Sequence, residues 1–105
     1  MSQPLEGMRV VEFAQGIAGP YAGKLLADYG ADVVKVEPSS GDRSRHVGPF
    51  PSGSDGDIEQ SATFLHLNTN KRSAVLDGSE AEDLARRADV VLWSDRSDLD
   101  RLGLA

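Results

Sequence analysis

The chain has 105 residues, with 11 Lys+Arg against 17 Asp+Glu, a formal charge of −6 and no cysteine. That balance argues against binding nucleic acid or an anionic membrane surface, because no basic excess is there to neutralise phosphates. The missing thiols exclude disulfides, thiolate catalysis and Cys-ligated zinc, and with no spanning apolar run and no signal-like start in residues 1–7 the expected compartment is the cytoplasm.

Three runs, residues 8–13 (MRVVEF), 33–36 (VVKV) and 90–93 (VVLW), are short, rich in β-branched residues and nearly continuous in apolar side chains. This is the pattern of strands covered on both faces. Between the first two, Tyr21, Leu25, Leu26 and Tyr29 recur at helical spacing over residues 20–29. Pro20 suits the first turn of such a helix and Gly30 the left-handed residue after its last. Residues 8–37 therefore predict a β-loop-α-β unit, about the length of one parallel crossover. Residues 38–59 hold Gly, Ser, Asp and Pro with almost nothing apolar, and predict a long exposed loop.

Residues 61–67 (SATFLHL) fit either a short helix or a strand, with the helix favoured, and 73–77 (SAVLD) fit a strand. Ser79-Glu80-Ala81-Glu82 has the capping-box pattern and opens a helix over 80–87. That helix runs through Ala88-Asp89-Val90-Val91, the same step as Ala31-Asp32-Val33-Val34, into the third apolar run. Residues 98–102 predict one helical turn closed by Gly103. The fold class that follows is α/β: a Rossmann-like open, mostly parallel sheet built from β-α-β units, as an incomplete part of a larger fold.

The turn after the first strand, Gln15-Gly16-Ile17-Ala18-Gly19-Pro20, aims backbone N–H groups and a helix dipole at whatever lies in the crevice. Glu37 lies where a dinucleotide-binding fold places its ribose-binding acid, but the glycine spacing is G-x-x-G-P rather than G-x-G-x-x-G. A nucleotide site and a plain strand-to-helix turn both remain open on these residues. Lys71 and Arg72, adjacent in Asn70-Lys71-Arg72-Ser73, could donate to phosphate or belong to a solvated turn. Arg43 and Arg45 carry the same two readings, and Lys24 and Lys35, inside regular elements, are expected at the surface. His46 and His66 have no partner acid at metal-ligand or triad spacing. Asp55-Gly56-Asp57-Ile58-Glu59 lacks the register of a calcium loop, so no metal is expected.

In combination, these residues resemble the opening of the family III CoA-transferases, the superfamily of carnitine and bile-acid CoA-transferase-like proteins that includes the alpha-methylacyl-CoA racemases. The resemblance rests on Met8-Arg9-Val10-Val11-Glu12-Phe13, on Ala18-Gly19-Pro20-Tyr21-Ala22, and on the run from Leu25-Leu26-Ala27-Asp28-Tyr29-Gly30 through Val36-Glu37. Gly41-Asp42, Phe64-Leu65, Asn70-Lys71-Arg72-Ser73, Leu76-Asp77 and Leu99-Asp100-Arg101-Leu102-Gly103 follow in the family's order.

The resemblance implies coenzyme A at the strand ends. It places Ile17 and Ala18 near the thioester, Leu76 and Asp77 near the nucleotide end, and Arg101 on CoA, with Lys71 and Arg72 as candidate phosphate donors. It also implies that the nucleophilic aspartate lies beyond Ala105, so residues 1–105 are an N-terminal CoA-binding-type region without catalytic residues of its own. Pro38 stands where several members carry a basic residue, and Gly78-Ser79 and Trp93-Ser94-Asp95 also depart from the family pattern. The expected function is thus the N-terminal part of a protein that transfers CoA between carboxylic acids or epimerises an acyl-CoA. The alternative is a non-catalytic module with a structural, CoA-binding or interaction role. The partners expected are CoA or acyl-CoA and a second copy or a catalytic partner, with no nucleic acid and no membrane.

Overall fold

The computed structural model describes residues 3–54 and 56–101. Their order is β1 (Arg9–Glu12), α1 (Ala18–Asp28), β2 (Asp32–Val36), a 3-10 turn (Arg43–His46), α2 (Ala62–Leu67), β3 (Arg72–Ala74), α3 (Gly78–Arg86), β4 (Val90–Leu92) and α4 (Arg96–Arg101). All four strands are parallel in the order β3-β2-β1-β4, the Rossmann-like sheet that the alternating pattern predicts. Among the described residues no helix is long and apolar enough to cross a membrane.

Alternation along β1 and β2 divides the core between the two faces of the sheet. Val10 and Val33 pack with Ala27 and Ala31 on the α1 face, joined by Leu26 and Met8. Val11, Phe13 and Val36 pack with Ala81 on the other, where α3 adds Leu84 and Ala85. Burying a side chain such as Val11 or Phe13 contributes roughly 1.5–3 kcal/mol. Full coverage is confined to these two central strands. β4 is an edge strand with Val91 partly exposed and Trp93 half exposed, so the third apolar run is not covered on both faces as expected.

Two helices are capped by their own side chains. Ser61 caps α2, its hydroxyl accepting from Phe64 N at 3.2 Å. For α3 the capping box begins two residues before the predicted one: Asp77 accepts from Glu80 N at 2.8 Å, and Glu80 Oε1 accepts from Asp77 N at 3.2 Å. A carboxylate is among the best N-cap acceptors, which moves the helix start from Ser79 back to Asp77.

The α1 face also holds charge. Glu12 and Lys35 are direct neighbours across β1 and β2, both at most 1 % exposed. Lys35 Nζ lies 2.7 Å from Glu12 Oε2 and 2.6 Å from Asp42 Oδ2, and Lys71 Nζ lies 2.8 Å from Glu12 Oε1. Lys35 is therefore interior, correcting the expectation that it lies at the surface: paired with two carboxylates, an ammonium can occupy a sheet face that an unpaired one could not. Glu12 Oε1 and Asp42 Oδ2 accept no other hydrogen bond, so loss of either lysine would strand a carboxylate oxygen in the interior.

The 38–59 segment is not uniformly exposed, because it supplies partners to buried acids. Asp42, Ser44 and Arg45 are buried. Arg45 Nε and Nη2 donate to Glu37 Oε1 and Oε2 at 2.7 and 2.9 Å, and its Nη1 donates to Ile58 O at 2.9 Å. Its guanidinium lies 3.7 Å from the centre of the Phe64 ring, a stacked cation–π contact. One arginine thus ties both ends of the loop to the sheet and to α2. Glu37 also accepts from Asp42 N at 2.8 Å and from the Ser73 hydroxyl, so this acid is committed to the fold rather than free for a ribose.

Two outcomes test this arrangement. A Cβ on Gly23 would stand 1.9 Å from Glu12 Oε1 and 3.2 Å from Lys71 Cε. Glu12 is ion-paired on both oxygens and cannot swing aside, so Gly23→Ala is expected to cost about 1–3 kcal/mol in urea unfolding. For Glu37, burial pushes the carboxyl up, but Arg45, Ser73 and the Asp42 N–H outweigh it and hold it below its ordinary value near 4.5. A depressed carboxyl contributes stability that is complete above the ordinary value and is lost as pH falls through the folded-state value. Glu37→Gln should therefore lower stability by roughly 3–5 kcal/mol at pH 7, with the gap from wild type closing in acid. Denaturant titrations at neutral and acid pH measure both the loss and its closing.

Candidate functional site

Ligands of open parallel sheets bind beyond the carboxyl ends of the strands, where the strand order reverses. Here β1 lies between β2 and β4, so the reversal falls between β1 and β4. The two strand ends touch: Phe13 N donates to Leu92 O at 2.7 Å and Gln15 N to Ser94 Oγ at 3.0 Å. Gly16 turns the chain with φ +87°, a conformation that favours glycine. Ile17 then occupies the N-cap of α1 without a capping side chain, and the first turn of α1 has no acid. Its leading N–H groups and the positive end of its dipole therefore face the crevice with no side chain of α1 neutralising them. Ile17 is 67 % exposed and Ala18 is exposed, so both predicted residues stand at the crevice mouth.

A groove of about 370 Å³ lies over the ends of β2 and β3, between Val36, Pro38 and Ser39 on one side and Val75, Leu76 and Gly78 on the other. A hollow of about 190 Å³ continues it toward Gly41, Ile58 and Glu59. Leu76 packs against the core and also lines this groove. Asp77 follows it as the α3 cap, its carboxyl held below the ordinary value by the Glu80 N–H and the Ser79 hydroxyl. Ile17, Ala18, Leu76 and Asp77 thus share one edge of the sheet. Another hollow, of about 290 Å³, lies at the opposite edge among Arg9, Asp32, Arg72 and Arg87. It faces the amino ends of the strands, where no helix among the described residues presents its N-terminus.

The two adjacent cations do not reach the crevice. Lys71 points inward: its Nζ donates to Pro20 O at 2.8 Å and to Asn68 Oδ1 at 2.7 Å besides pairing with Glu12. Burial lowers its pKa more than Glu12 restores it. Arg72 opens β3 at the amino end of the sheet, and its guanidinium holds both Asp32 oxygens at 2.7–2.8 Å. The Arg101 side chain lies outside the described residues, as do Leu102 and Gly103 of the predicted last turn.

The cation that does reach the turn is one the sequence left undecided. Arg43 donates from its N–H to Gln15 Oε1 at 3.2 Å and from Nη2 to Gln15 O at 3.4 Å. Its guanidinium also passes 3.4 Å from where a Gly16 Cβ would stand. Beside it, Asp42 accepts from Gly16 N at 3.2 Å. Gly41-Asp42 counted in the sequence only as a landmark, and nothing in its spacing marks it as a contact of the first turn. Among the described residues no cluster of His, Asp and Glu could hold a metal ion.

The chain is similar to known proteins in both sequence and fold. The sequence model of CoA-transferase family III matches residues 5–105. The chain is 45% identical over 103 residues to succinate–glutarate CoA-transferase of Agrobacterium fabrum, covering 90% of this chain and 26% of that protein. It is 47% identical over 95 residues to succinyl-CoA:mesaconate CoA-transferase of Haloarcula hispanica, covering 84% and 24%. A crystal structure of a CAIB/BAIF family protein from Brucella suis superposes with a TM-score of 0.79 at 40% identity, covering 100% of this chain and 29% of that one. The chain spans about a quarter of the length of the relatives it matches. With a family match along nearly all its length and a solved relative of the same fold, this chain belongs to CoA-transferase family III.

Proposed function

We propose that residues 1–105 form the CoA-binding wall of an enzyme that moves coenzyme A from one carboxylic acid to another. The observation that carries this reading is the shared edge. The uncapped start of α1, with Ile17 and Ala18 at its mouth, and the groove beside Leu76 and Asp77 open on the same carboxyl end of the sheet. CoA combines an apolar arm and an adenine ring with anionic phosphates. A largely apolar groove on the same end of the sheet as an uncapped helix N-terminus complements both parts. On an acidic chain whose lysines are mostly paired internally, backbone N–H groups are the natural phosphate and thioester donors.

In this proposal the first-turn N–H groups of α1 meet the thioester end, and oriented backbone donors there stabilise negative charge developing on its carbonyl oxygen. The acid that carries the acyl group comes from sequence other than these residues, as the family resemblance implies. The two relatives above are named for succinate, glutarate and mesaconate, which favours dicarboxylic acids as the acyl partners.

Titration calorimetry of the 105-residue chain tests this reading. Saturable binding of CoA is expected, with no turnover and no competition by NADH. Leu76→Asp places a carboxylate in the groove and should weaken CoA about tenfold or more. A folded chain that does not bind CoA, or that binds it equally well with Asp at position 76, would overturn it.

A further inference from the structure

We infer that Asp42 is the positioning residue of the Gly16-Ile17-Ala18 turn, fixing from a distant loop where the first N–H groups of α1 point. The turn makes little structure of its own: Ile17 supplies no cap, and Ile17 and Ala18 are exposed. Three successive residues before them are instead held from outside. Lys35 Nζ donates to Ala14 O at 2.9 Å, Arg43 donates to both Gln15 oxygens, and Gly16 N donates to Asp42 Oδ1 at 3.2 Å.

Asp42 is suited to this because it is itself fixed on every side. It is fully buried; its Oδ1 also accepts from Ser44 N and Ser44 Oγ, each at 2.8 Å, and its Oδ2 lies 2.6 Å from Lys35 Nζ. Lys35 is anchored in turn on Glu12 at 2.7 Å. The carboxylate therefore has one position, and the N–H it accepts has one direction. An ionised acceptor makes this a charge-assisted bond, stronger than one between neutral groups. Gly16 needs such a partner, since glycine otherwise samples both signs of φ freely.

The inference rests on the CoA reading for its consequence, a correctly aimed helix N-terminus, but the contact itself can be tested without ligand. Amide hydrogen exchange followed by NMR in the 105-residue chain compares Gly16 with Gly53, an exposed turn glycine of similar φ, +82°. Gly16 should exchange about tenfold or more slowly than Gly53 in wild type. Asp42→Ala should abolish that protection and weaken CoA about tenfold. Asp42→Asn keeps an oxygen for Gly16 and Ser44 while losing the Lys35 pair. It should melt at lower temperature yet retain Gly16 protection and CoA affinity within about threefold. This split between stability and binding is what a merely structural Asp42 would not produce.

Equal exchange of Gly16 and Gly53 in wild type would overturn the inference, as would equal loss of CoA affinity in the Asn and Ala variants. If Asp42→Ala does not fold, wild-type exchange and Asp42→Asn still decide. Failure of wild type to bind CoA would count against the proposed function alone, while the exchange comparison still decides the role of Asp42.

Discussion

The ion pair between Glu12 and Lys35 is the constraint on which the rest of the structure depends. Glu12 stands between Val11 and Phe13 and Lys35 between Val34 and Val36, and the parallel register sets the two charges side by side on the face that α1 covers. Neither charge could be buried alone, because desolvation would exceed any packing gain. Asp42 and Lys71 complete a group of two carboxylates and two ammonium ions whose formal charges cancel. To deliver them, the loop after β2 must fold back over the sheet and the turn before β3 must approach α1. Gly23 is where α1 leaves room for that meeting. Much of the chain's path between elements is thus dictated by the need to neutralise one buried pair.

The same constraint decides which cations are left for a ligand. Lys24, Arg72, Arg86 and Arg87 pair with acids at the surface, and Lys35, Arg45 and Lys71 pair with acids inside. Near the crevice, Arg43 has no carboxylate within ion-pair distance among the described residues, and its contacts are to Gln15. An anion arriving at this edge therefore meets chiefly backbone donors and one guanidinium. Such donors are already oriented and gain little from rearrangement, whereas a cluster of lysines would have to be desolvated and ordered around the ligand.

Much of the fold could be read from the sequence because it depends on local signals. The strands at Val10 and Val33 and the helix carrying Leu25 and Leu26 each follow from the spacing of apolar residues. What could not be read were the partners of polar groups distant in sequence. Lys35 reads as a surface lysine until Glu12 is set beside it, although opposite charges embedded in two neighbouring apolar runs were a usable hint. Residues 38–59 read as exposed because composition reports polarity and not satisfaction: Asp42, Ser44 and Arg45 are polar and buried because each has its partners. Of the site, Ile17, Ala18, Leu76 and Asp77 stand at the expected edge. The charges of Lys71 and Arg72 were drawn to Glu12 and Asp32, acids to which nothing in the local sequence connects them.

This division suggests why so polar a loop serves as scaffold for the crevice. A loop held by apolar contacts would have to bury side chains that the groove needs for its own lining, such as Val75 and Leu76. A loop held by ion pairs leaves those surfaces free, and it fixes direction as well as distance, since a bidentate Arg45–Glu37 contact tolerates little rotation. Fixed direction is what a row of backbone N–H groups requires if it is to act on a ligand, because a hydrogen bond weakens steeply as its angle closes. The buried charges and the bare helix start are accordingly two halves of one arrangement: the first holds still what the second presents.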